Sequence, residues 1–350
     1  MKYLVLVGGF GKSIETFILE ITEQPSLTFN KSFEVDDKPA FLDAVDEKIY
    51  CVHEVSSYKG EKSGGLSHLK VDGTSLLYIQ SQFSCGEDPC HITINSKYNC
   101  AYVTNYASGH FAVAKVKENG FLGGGLYIES YDNGSGVNQE RQEQSHPHGT
   151  CFKGKYVYVV DLGADKIWHY QHGNGTEFNT GSPAFTDTPP GSGPRHMVFH
   201  PTYNAAFLVT ELSNEVLVYK FKESNGSLEM IESYKFLFND QEGENYGAEI
   251  AVHPNGKFLY LSNRVNGALV SFRINSNMKL EKIECFPTLG TWPRHFGIDP
   301  SGRVLLCADQ FKDLIEVLAI DEQSGKLERI QTVDCKNRPS CVIFKSLPST

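Results

Sequence analysis

The stretch Tyr246-Gly-Ala-Glu-Ile-Ala-Val-His-Pro-Asn-Gly-Lys-Phe-Leu-Tyr-Leu-Ser-Asn-Arg264 consists of two short apolar runs on either side of a tight turn. Asn255 and Gly256 separate the runs, and this dipeptide favours a β-hairpin because both residue types accept a positive φ at low cost. Related segments begin at Gly193 and Trp292, and both contain Pro-Arg-His. The sequence therefore predicts a repeated strand–turn–strand unit.

The repeat has a period near 50 residues. Its equivalent positions are Pro39, Pro89, Pro147, Pro194, Gly247, Pro293 and Pro339. This period with strand-like patterning is typical of four-stranded β-propeller blades. The last unit keeps one strand, so we expect residues 1–34 to supply its other three, a closure that removes open sheet edges. We predict an all-β fold, a single seven-bladed β-propeller spanning 1–350, with four antiparallel strands per blade and the last blade closed by both termini.

Composition narrows the range of partners. The 350 residues are 40% apolar and 21% charged, with a net charge of −10, which argues against binding to nucleic acid or to an anionic membrane surface. No apolar window reaches the length of a membrane span, and the first residues do not resemble a signal peptide. The nine cysteines lack a Cys-x-x-Cys motif, so we expect free thiols and a cytoplasmic protein.

The sequence gives only weak support for a phosphate loop and for a metal site. Gly8-Gly-Phe-Gly-Lys-Ser13 lacks the first glycine of a phosphate loop, because Leu6 stands in its place, and a strand rather than a helix is expected to follow. The twelve histidines are spread over different blades without clustered carboxylates, so we expect no metal site. His200 and His253, in His-Pro turns, are expected to hold those turns through backbone hydrogen bonds.

The repeat geometry points to one mouth of the central channel. The start of the first strand and the end of the second lie at the same end of an antiparallel pair. Residues expected at this mouth from adjoining blades are His148, Arg195, Glu211, Arg264 and Arg294. Several cations with one carboxylate and an imidazole favour an anionic, oxygen-rich ligand. The alternative is that such ion pairs only fasten neighbouring blades together.

Further candidates for substrate binding occupy adjacent positions of the same repeats. They are His196, Glu249, Asn263, His295 and Gln310. Side chains alternate along a regular strand, so Arg195 and His196 cannot both face the channel unless the strand begins irregularly.

The repeats, including Tyr102-Val-Thr-Asn105, resemble the seven-bladed propeller lactonase family, which contains bacterial 6-phosphogluconolactonases and fungal carboxymuconate cyclases. The resemblance covers essentially the whole chain and is strongest from about 145 to 320, in Ser145-His-Pro-His-Gly149, the two Pro-Arg-His segments and Asn263-Arg264. The resemblance implies catalytic roles for His148, Arg195, Glu211 and Arg264. Blade one departs most from the family pattern.

The resemblance implies hydrolysis of a sugar lactone, foremost 6-phospho-D-glucono-1,5-lactone, to the open acid in the pentose phosphate pathway. Glu211 or His148 would activate a water, Arg195 would stabilise the oxyanion, and Arg264 and Arg294 would bind phosphate or carboxylate. Such lactones already hydrolyse in water, so no cofactor is expected. The alternatives are a carboxymuconate-type cycloisomerase and a non-catalytic propeller scaffold. Protein partners are not predicted.

Overall fold

The structure is a computed structural model that describes residues 1–120, 122–131, 133–173, 178, 183–236 and 244–348, except for the side chains of 124–126. Within these residues the regular secondary structure consists of β-strands, and no helix there is long and apolar enough to cross a membrane.

The strands in chain order are β1 (Lys2–Gly9), β2 (Ser13–Glu20), β3 (Ser26–Glu34), β4 (Pro39–Val45), β5 (Lys48–His53), β6 (Gly65–Asp72), β7 (Ser75–Phe83), β8 (Pro89–Asn95), β9 (Cys100–Asn105), β10 (His110–Val116), β11 (Leu122–Ser130), β12 (Pro147–Lys153), β13 (Tyr156–Asp161), β14 (Lys166–Gln171), β15 (Ala184–Asp187), β16 (Pro194–Phe199), β17 (Ala205–Thr210), β18 (Glu215–Lys222), β19 (Ser227–Lys235), β20 (Tyr246–Val252), β21 (Phe258–Arg264), β22 (Ala268–Ile274), β23 (Leu280–Pro287), β24 (Pro293–Ile298), β25 (Val304–Asp309), β26 (Leu314–Ile320), β27 (Leu327–Asp334) and β28 (Pro339–Ser346).

In the described residues the strands form seven antiparallel sheets of four. Six sheets use consecutive strands, from β4–β7 to β24–β27, and we number these blades one to six. The first strand of each blade contacts the first strand of the next, and β28 contacts both β24 and β4, so the innermost strands close a ring. The predicted seven-bladed β-propeller is confirmed.

Blade seven is built from both ends of the chain, in the order β28-β1-β2-β3. Strand β1 pairs with β28 from Tyr3 opposite Ser346 to Gly9 opposite Pro339. Backbone hydrogen bonds between the two ends therefore close the ring, as the single strand left after Pro339 predicts.

The core lies between neighbouring blades. Second strands are buried on both faces: Leu259 and Leu261 pack toward blade four with Phe207, whereas Tyr260 packs toward blade six with Leu305. Burial of such a side chain contributes about 1.5–3 kcal/mol. The Tyr260 hydroxyl donates to the carbonyl of Gly325 in the next blade at 2.8 Å. Apolar contacts and a buried hydrogen bond of the tyrosine hydroxyl thus hold adjacent blades together.

The innermost strand of every blade begins with a β-bulge. In blade four, Pro194 lies opposite Thr210 but His196 lies opposite Val209, so Arg195 is an extra residue in the ladder. The equivalent one-residue slips occur near Ala40, Cys90, His148, Ala248, Arg294 and Ser340. A bulge breaks the strict alternation of side chains and re-aims the extra residue. Consecutive residues such as Arg195 and His196 can therefore both contribute to the channel.

Candidate active site

A cavity of about 280 Å³ lies at the end of the channel where the inner strands begin. It is lined by Glu54, Cys90, Tyr106, Arg141, His148, Glu211, Arg264 and Arg294. His148, Glu211, Arg264 and Arg294 were predicted from their positions in the repeats. The structure brings them together because each stands at the start of a first strand or the end of a second strand.

Glu211 is the centre of the charged cluster. It directly follows β17, and its backbone N–H donates to the carbonyl of Gly193 at 2.7 Å. Its Oε1 lies 2.5 Å from Nη2 of Arg141, and its Oε2 lies 2.6 Å from Nη2 of Arg264 and 3.1 Å from Nε of Arg195. One buried carboxylate thus holds three guanidinium groups from different parts of the chain.

Charge and burial have opposite effects on the pKa of Glu211. Burial alone would raise the pKa of this carboxyl, but Arg264, Arg195 and Arg141 outweigh burial and lower its pKa well below the ordinary value. Glu211 is therefore ionised at neutral pH and has little tendency to accept a proton. Burial and the neighbouring Arg264 lower the pKa of Arg195, opposed by Glu211. A guanidinium starts from a pKa above 12, so Arg195 remains a cation.

The arginines also join blades. Nη1 of Arg195 donates to the carbonyl of Ala248 in blade five at 2.5 Å. Arg264 donates from Nη2 to the carbonyl of Gly247 at 2.9 Å, and its guanidinium lies over the rings of Tyr246 and Trp292. The same arginine side chains therefore fasten neighbouring blades together and form the charged site.

His148 lies at the edge of this cluster, at the bulge of β12. Burial, Arg195, His196, Arg294 and Arg264 lower its pKa well below the ordinary histidine value. The imidazole is therefore neutral at neutral pH and can accept a proton. Its Nδ1 atom is buried and makes no hydrogen bond.

Other predicted substrate-binding residues form a second group in the channel. His196 Nδ1 and His295 Nε2 lie 3.0 and 3.3 Å from Oε2 of Glu249. We call these three residues, from the inner strands of blades four, five and six, the channel triad. They do not line the cavity described above.

Asn263 and Gln310 stand at or just after the ends of second strands and also lie outside the lining of that cavity. Both are buried, and the Oδ1 atom of Asn263 and the Oε1 atom of Gln310 make no hydrogen bond. Arg294 does line the cavity, and its Nη2 lies 3.7 Å from Oε1 of Glu54.

The repeat pattern missed Arg141. This residue lies in the connection between β11 and β12, outside the four strands of either blade, where Asn138 Oδ1 accepts from its backbone N–H at 3.2 Å. Its Nη2 also donates to the hydroxyl of Tyr106 at 3.3 Å. The one available signal was length, since the 58 residues from Pro89 to Pro147 form the longest repeat.

Two further histidines, His200 and His253, and the cysteines behave as structural groups. His200 and His253 each contact a turn carbonyl through Nε2, that of Gly256 at 2.8 Å and that of Gly302 at 2.7 Å, which confirms their turn role. All nine cysteines are free. Across the described ranges, no group of three or more His, Cys, Asp or Glu side chains is arranged to hold a metal ion.

Comparison with known proteins agrees with this architecture. The family described as "Lactonase, 7-bladed beta-propeller" matches residues 5–344 of the chain. The chain belongs to the seven-bladed β-propeller lactonase family. Relatives of this chain are named 6-phosphogluconolactonase, which is a cyclic-ester hydrolase, so the protein is a lactonase of the carboxylic ester hydrolase class.

Individual relatives cover from three quarters to nearly all of this lactonase. The chain is 30% identical over 352 residues to a 6-phosphogluconolactonase of Bacillus subtilis, covering 98% of both chains. It is 33% identical over 278 residues to a 6-phosphogluconolactonase of Formosa agariphila, covering 76% of this chain and 77% of that one. A solved structure of a periplasmic gluconolactonase from Pseudomonas aeruginosa superposes with a TM-score of 0.92 at 27% identity, covering 99% of this chain and 100% of that chain.

Proposed function

We propose that this lactonase hydrolyses 6-phospho-D-glucono-1,5-lactone to 6-phosphogluconate, as a cytoplasmic enzyme of the pentose phosphate pathway. The observation that carries the proposal is the charge around the cavity. Three guanidinium groups (Arg141, Arg264 and Arg294) and two carboxylates (Glu54 and Glu211) line a space of about 280 Å³. A fourth guanidinium, that of the buried Arg195, pairs with Glu211 at 3.1 Å. This excess of positive charge in a protein of net charge −10 suits a small phosphorylated sugar. The names of the two sequence relatives support the same substrate class.

His148 is the better general base of the two candidates. It is neutral, lines the cavity and is not paired with a carboxylate. Both carboxylate oxygens of Glu211 are instead occupied by the guanidinium groups of Arg141, Arg195 and Arg264. A general base must be unprotonated at the working pH and within reach of the attacking water. Glu211 instead fixes the positions of Arg195 and Arg264.

The reaction then proceeds in two steps. A water attacks the lactone carbonyl carbon while His148 accepts its proton, and Arg195 with Arg264 stabilises the oxyanion of the tetrahedral intermediate. The bond from that carbon to the ring oxygen breaks, and the imidazolium of His148 returns the proton to the departing ring oxygen. The products are a carboxylic acid, which releases its proton to solvent and becomes the carboxylate, and a free hydroxyl. Arg294 and Arg141 bind the phosphate.

Arg294 is suited to phosphate because its pairing is weak. Its contact with Glu54 is 3.7 Å long, and burial raises the pKa of Glu54, with Arg294 opposing that effect. A phosphate dianion offers a charge-assisted hydrogen bond of about 2.7–2.9 Å, which is stronger than this contact. We therefore expect Arg294 to turn from Glu54 to the substrate.

The test is a stopped-flow comparison of freshly prepared 6-phosphogluconolactone and unphosphorylated gluconolactone. We expect the wild type to prefer the phosphorylated lactone, and Arg294→Gln to raise KM for that substrate about 10-fold or more while leaving the unphosphorylated lactone unaffected. Arg273→Gln is a matched control, because Arg273 contacts only carbonyls of Gln323 and Ser324 among the hydrogen bonds of the described residues. Equal rates on both lactones would overturn the phosphate assignment, and turnover of a carboxymuconate instead would favour the cycloisomerase.

A further inference from the structure

The hydroxyl of Tyr106 carries a proton that no atom of the described residues accepts. Tyr106 directly follows β9 and lines the cavity. Nη2 of Arg141 donates to the hydroxyl oxygen at 3.3 Å, and this is the one hydrogen bond of the hydroxyl within the described part of the chain. A guanidinium has only donors, whereas a phenol has both a donor and an acceptor. The acceptor of this phenol is therefore used and its donor is not.

An unused donor sets Tyr106 apart from other enclosed tyrosines. Its ring stacks on that of His146, with 4.3 Å between centroids and 15° between planes. The hydroxyls of Tyr158 and Tyr260 donate to the carbonyls of Gly226 and Gly325 at 2.6 and 2.8 Å. Most enclosed polar groups have such a partner. The donor of Tyr106 is therefore available to a molecule in the cavity.

The other uncharged side chains that line the cavity are those of His148 and Cys90. Sγ of Cys90 lies 3.4 Å from the carbonyl oxygen of His148 and 3.5 Å from Oγ1 of Thr104, so protein atoms can accept the thiol proton. His148 is assigned to the attacking water. Tyr106 is therefore the neutral side chain that can donate to a substrate oxygen.

Two contacts place Tyr106 between the general base and the cationic cluster. Its ring meets that of His148 edge-on, with 5.6 Å between centroids and 78° between planes. Its hydroxyl shares Nη2 of Arg141 with Oε1 of Glu211, which lies 2.5 Å from the same nitrogen. A lactone carbonyl attacked by a water on His148 would therefore lie close to this hydroxyl.

The phenol of Tyr106 keeps its proton at neutral pH. Burial raises its pKa, Arg141 opposes that effect and Glu211 adds to it. An ordinary phenol already has a pKa near 10, so Tyr106 is a donor and not a base. The cation at its oxygen polarises the O–H group, which strengthens donation to a developing anion.

We propose that Tyr106 is a catalytic residue whose hydroxyl donates a hydrogen bond to the oxyanion of the tetrahedral intermediate, beside Arg264. The carbonyl oxygen gains negative charge when water attacks, so this bond is stronger in the transition state than with the bound lactone. The hydroxyl therefore lowers the barrier and contributes less to substrate binding. The inference rests on the proposed function, because it concerns a lactone opened in this cavity.

The first test compares Tyr106→Phe with Tyr158→Phe, which each remove one hydroxyl and keep the ring. We expect Tyr106→Phe to lower kcat about 10²-fold on 6-phosphogluconolactone and on gluconolactone alike, with KM changed less than about threefold. Its urea midpoint should equal that of the wild type. Tyr158→Phe should keep the wild-type kcat but lower the midpoint, because the carbonyl of Gly226 loses its donor.

Two outcomes of this comparison would overturn the proposal. One is a wild-type kcat in Tyr106→Phe. The other is a Tyr106→Phe variant that is destabilised as much as Tyr158→Phe or does not fold, because protein atoms would then be using the hydroxyl.

The alternative is that Tyr106 only holds Arg141, and a double variant separates the two roles. If the hydroxyl does no more than accept from Arg141, Tyr106→Phe has no further effect once Arg141 is replaced by alanine. If its proton reaches the substrate, Tyr106→Phe still lowers kcat at least about 10-fold in Arg141→Ala. A smaller additional loss would contradict the proposal.

A binding measurement provides a readout that needs no turnover. The probe is the cyclic phosphonate in which phosphorus with an anionic oxygen replaces the carbonyl carbon of gluconolactone, because its tetrahedral anion resembles the intermediate. We expect calorimetry to give a Kd about 10-fold or more higher for Tyr106→Phe than for the wild type or Tyr158→Phe. Equal Kd values would reject the role of Tyr106. The expected ratio in a protein that hydrolyses neither lactone would reject the proposed function alone.

Discussion

At the level of single residues, Glu211 and His148 differ in whether an atom is available to accept a proton. Neighbouring arginines lower the pKa of both side chains, but Glu211 is an anion whose oxygens pair with three guanidinium groups, whereas His148 is a neutral imidazole without an ion pair to a carboxylate. Both residue positions follow from the repeat pattern. The different roles of the two residues do not follow from that pattern. They depend on Arg141 and on burial, which the spacing of the repeats does not specify.

The pH dependence of kcat/KM tests the state of His148. Because its pKa lies below the ordinary value of about 6.5, the acid limb set by this base should fall below pH 6.5, with full activity above it. Arg294 helps to lower that pKa, so Arg294→Gln should move the limb to higher pH. The measurement is kcat/KM from pH 4.5 to 8, with buffer rates subtracted.

Glu211 provides the alternative explanation for a low acid limb, and His148→Gln separates the two. If His148 is the base, this variant loses the limb along with most of the activity. A limb that persists unchanged in His148→Gln, or a wild-type limb at or above pH 6.5, would contradict the assignment.

At the level of strands, the bulge at the start of each inner strand determines which side chains reach the channel. The sequence predicts the strand starts to within a residue, since six of the seven repeat positions are the first residue of β4, β8, β12, β16, β24 or β28, and Gly247 is the second residue of β20. The alternation of side chains along a regular strand does not predict that Arg195 and His196 both contribute to the channel. The bulge is a backbone irregularity that apolar patterning does not encode.

Gly247 tests how tightly this part of the strand is packed. A Cβ at this position would lie 2.3 Å from the carbonyl oxygen of Thr210 and 3.0 Å from the ring of Phe236. Gly247→Ala must therefore shift backbone, and we expect a loss of about 1–3 kcal/mol in the free energy of unfolding. Activity should fall too, because Gly247 accepts from Arg264 and donates to the carbonyl of Glu211.

Urea denaturation and the lactonase assay provide the measurement. Gly123→Ala is the control, since its Cβ would meet nothing closer than 3.4 Å. Equal stability of the two variants would show that the contact between blades four and five is looser than described.

At the level of the whole molecule, closure of the ring by β1 and β28 should govern cooperative stability. The ends of the chain are adjacent, since the N–H of Leu347 donates to the carbonyl of Lys2 at 3.0 Å, so a short linker can join them. A circular permutant opened between Asp36 and Asp37 makes every blade continuous in sequence. It leaves the ring closed only by contact between blade faces.

We compare it with a second permutant that is opened in the exposed turn at Gly73 and Thr74. We expect the first permutant to be less stable by on the order of 2 kcal/mol, because closing its ring has an entropy cost that no strand pairing between the chain ends offsets. The second permutant keeps a blade shared between both ends. Chemical denaturation of both permutants, with the same linker, gives the comparison. Identical stability would mean that the strand pairing of blade seven adds nothing to closure.

The central claim is that the arginine cluster held by Glu211 opens a lactone, and single-turnover stopped-flow hydrolysis of 6-phosphogluconolactone tests it most directly. We predict a wild-type rate far above buffer and a loss of about 10²–10³-fold in Arg195→Ala, with Arg195→Lys intermediate. Arg329→Ala, which removes a partly exposed arginine paired with Glu316 in blade six, should keep the wild-type rate. A wild-type rate no greater than buffer, or a folded Arg195→Ala as fast as the wild type, would contradict the account.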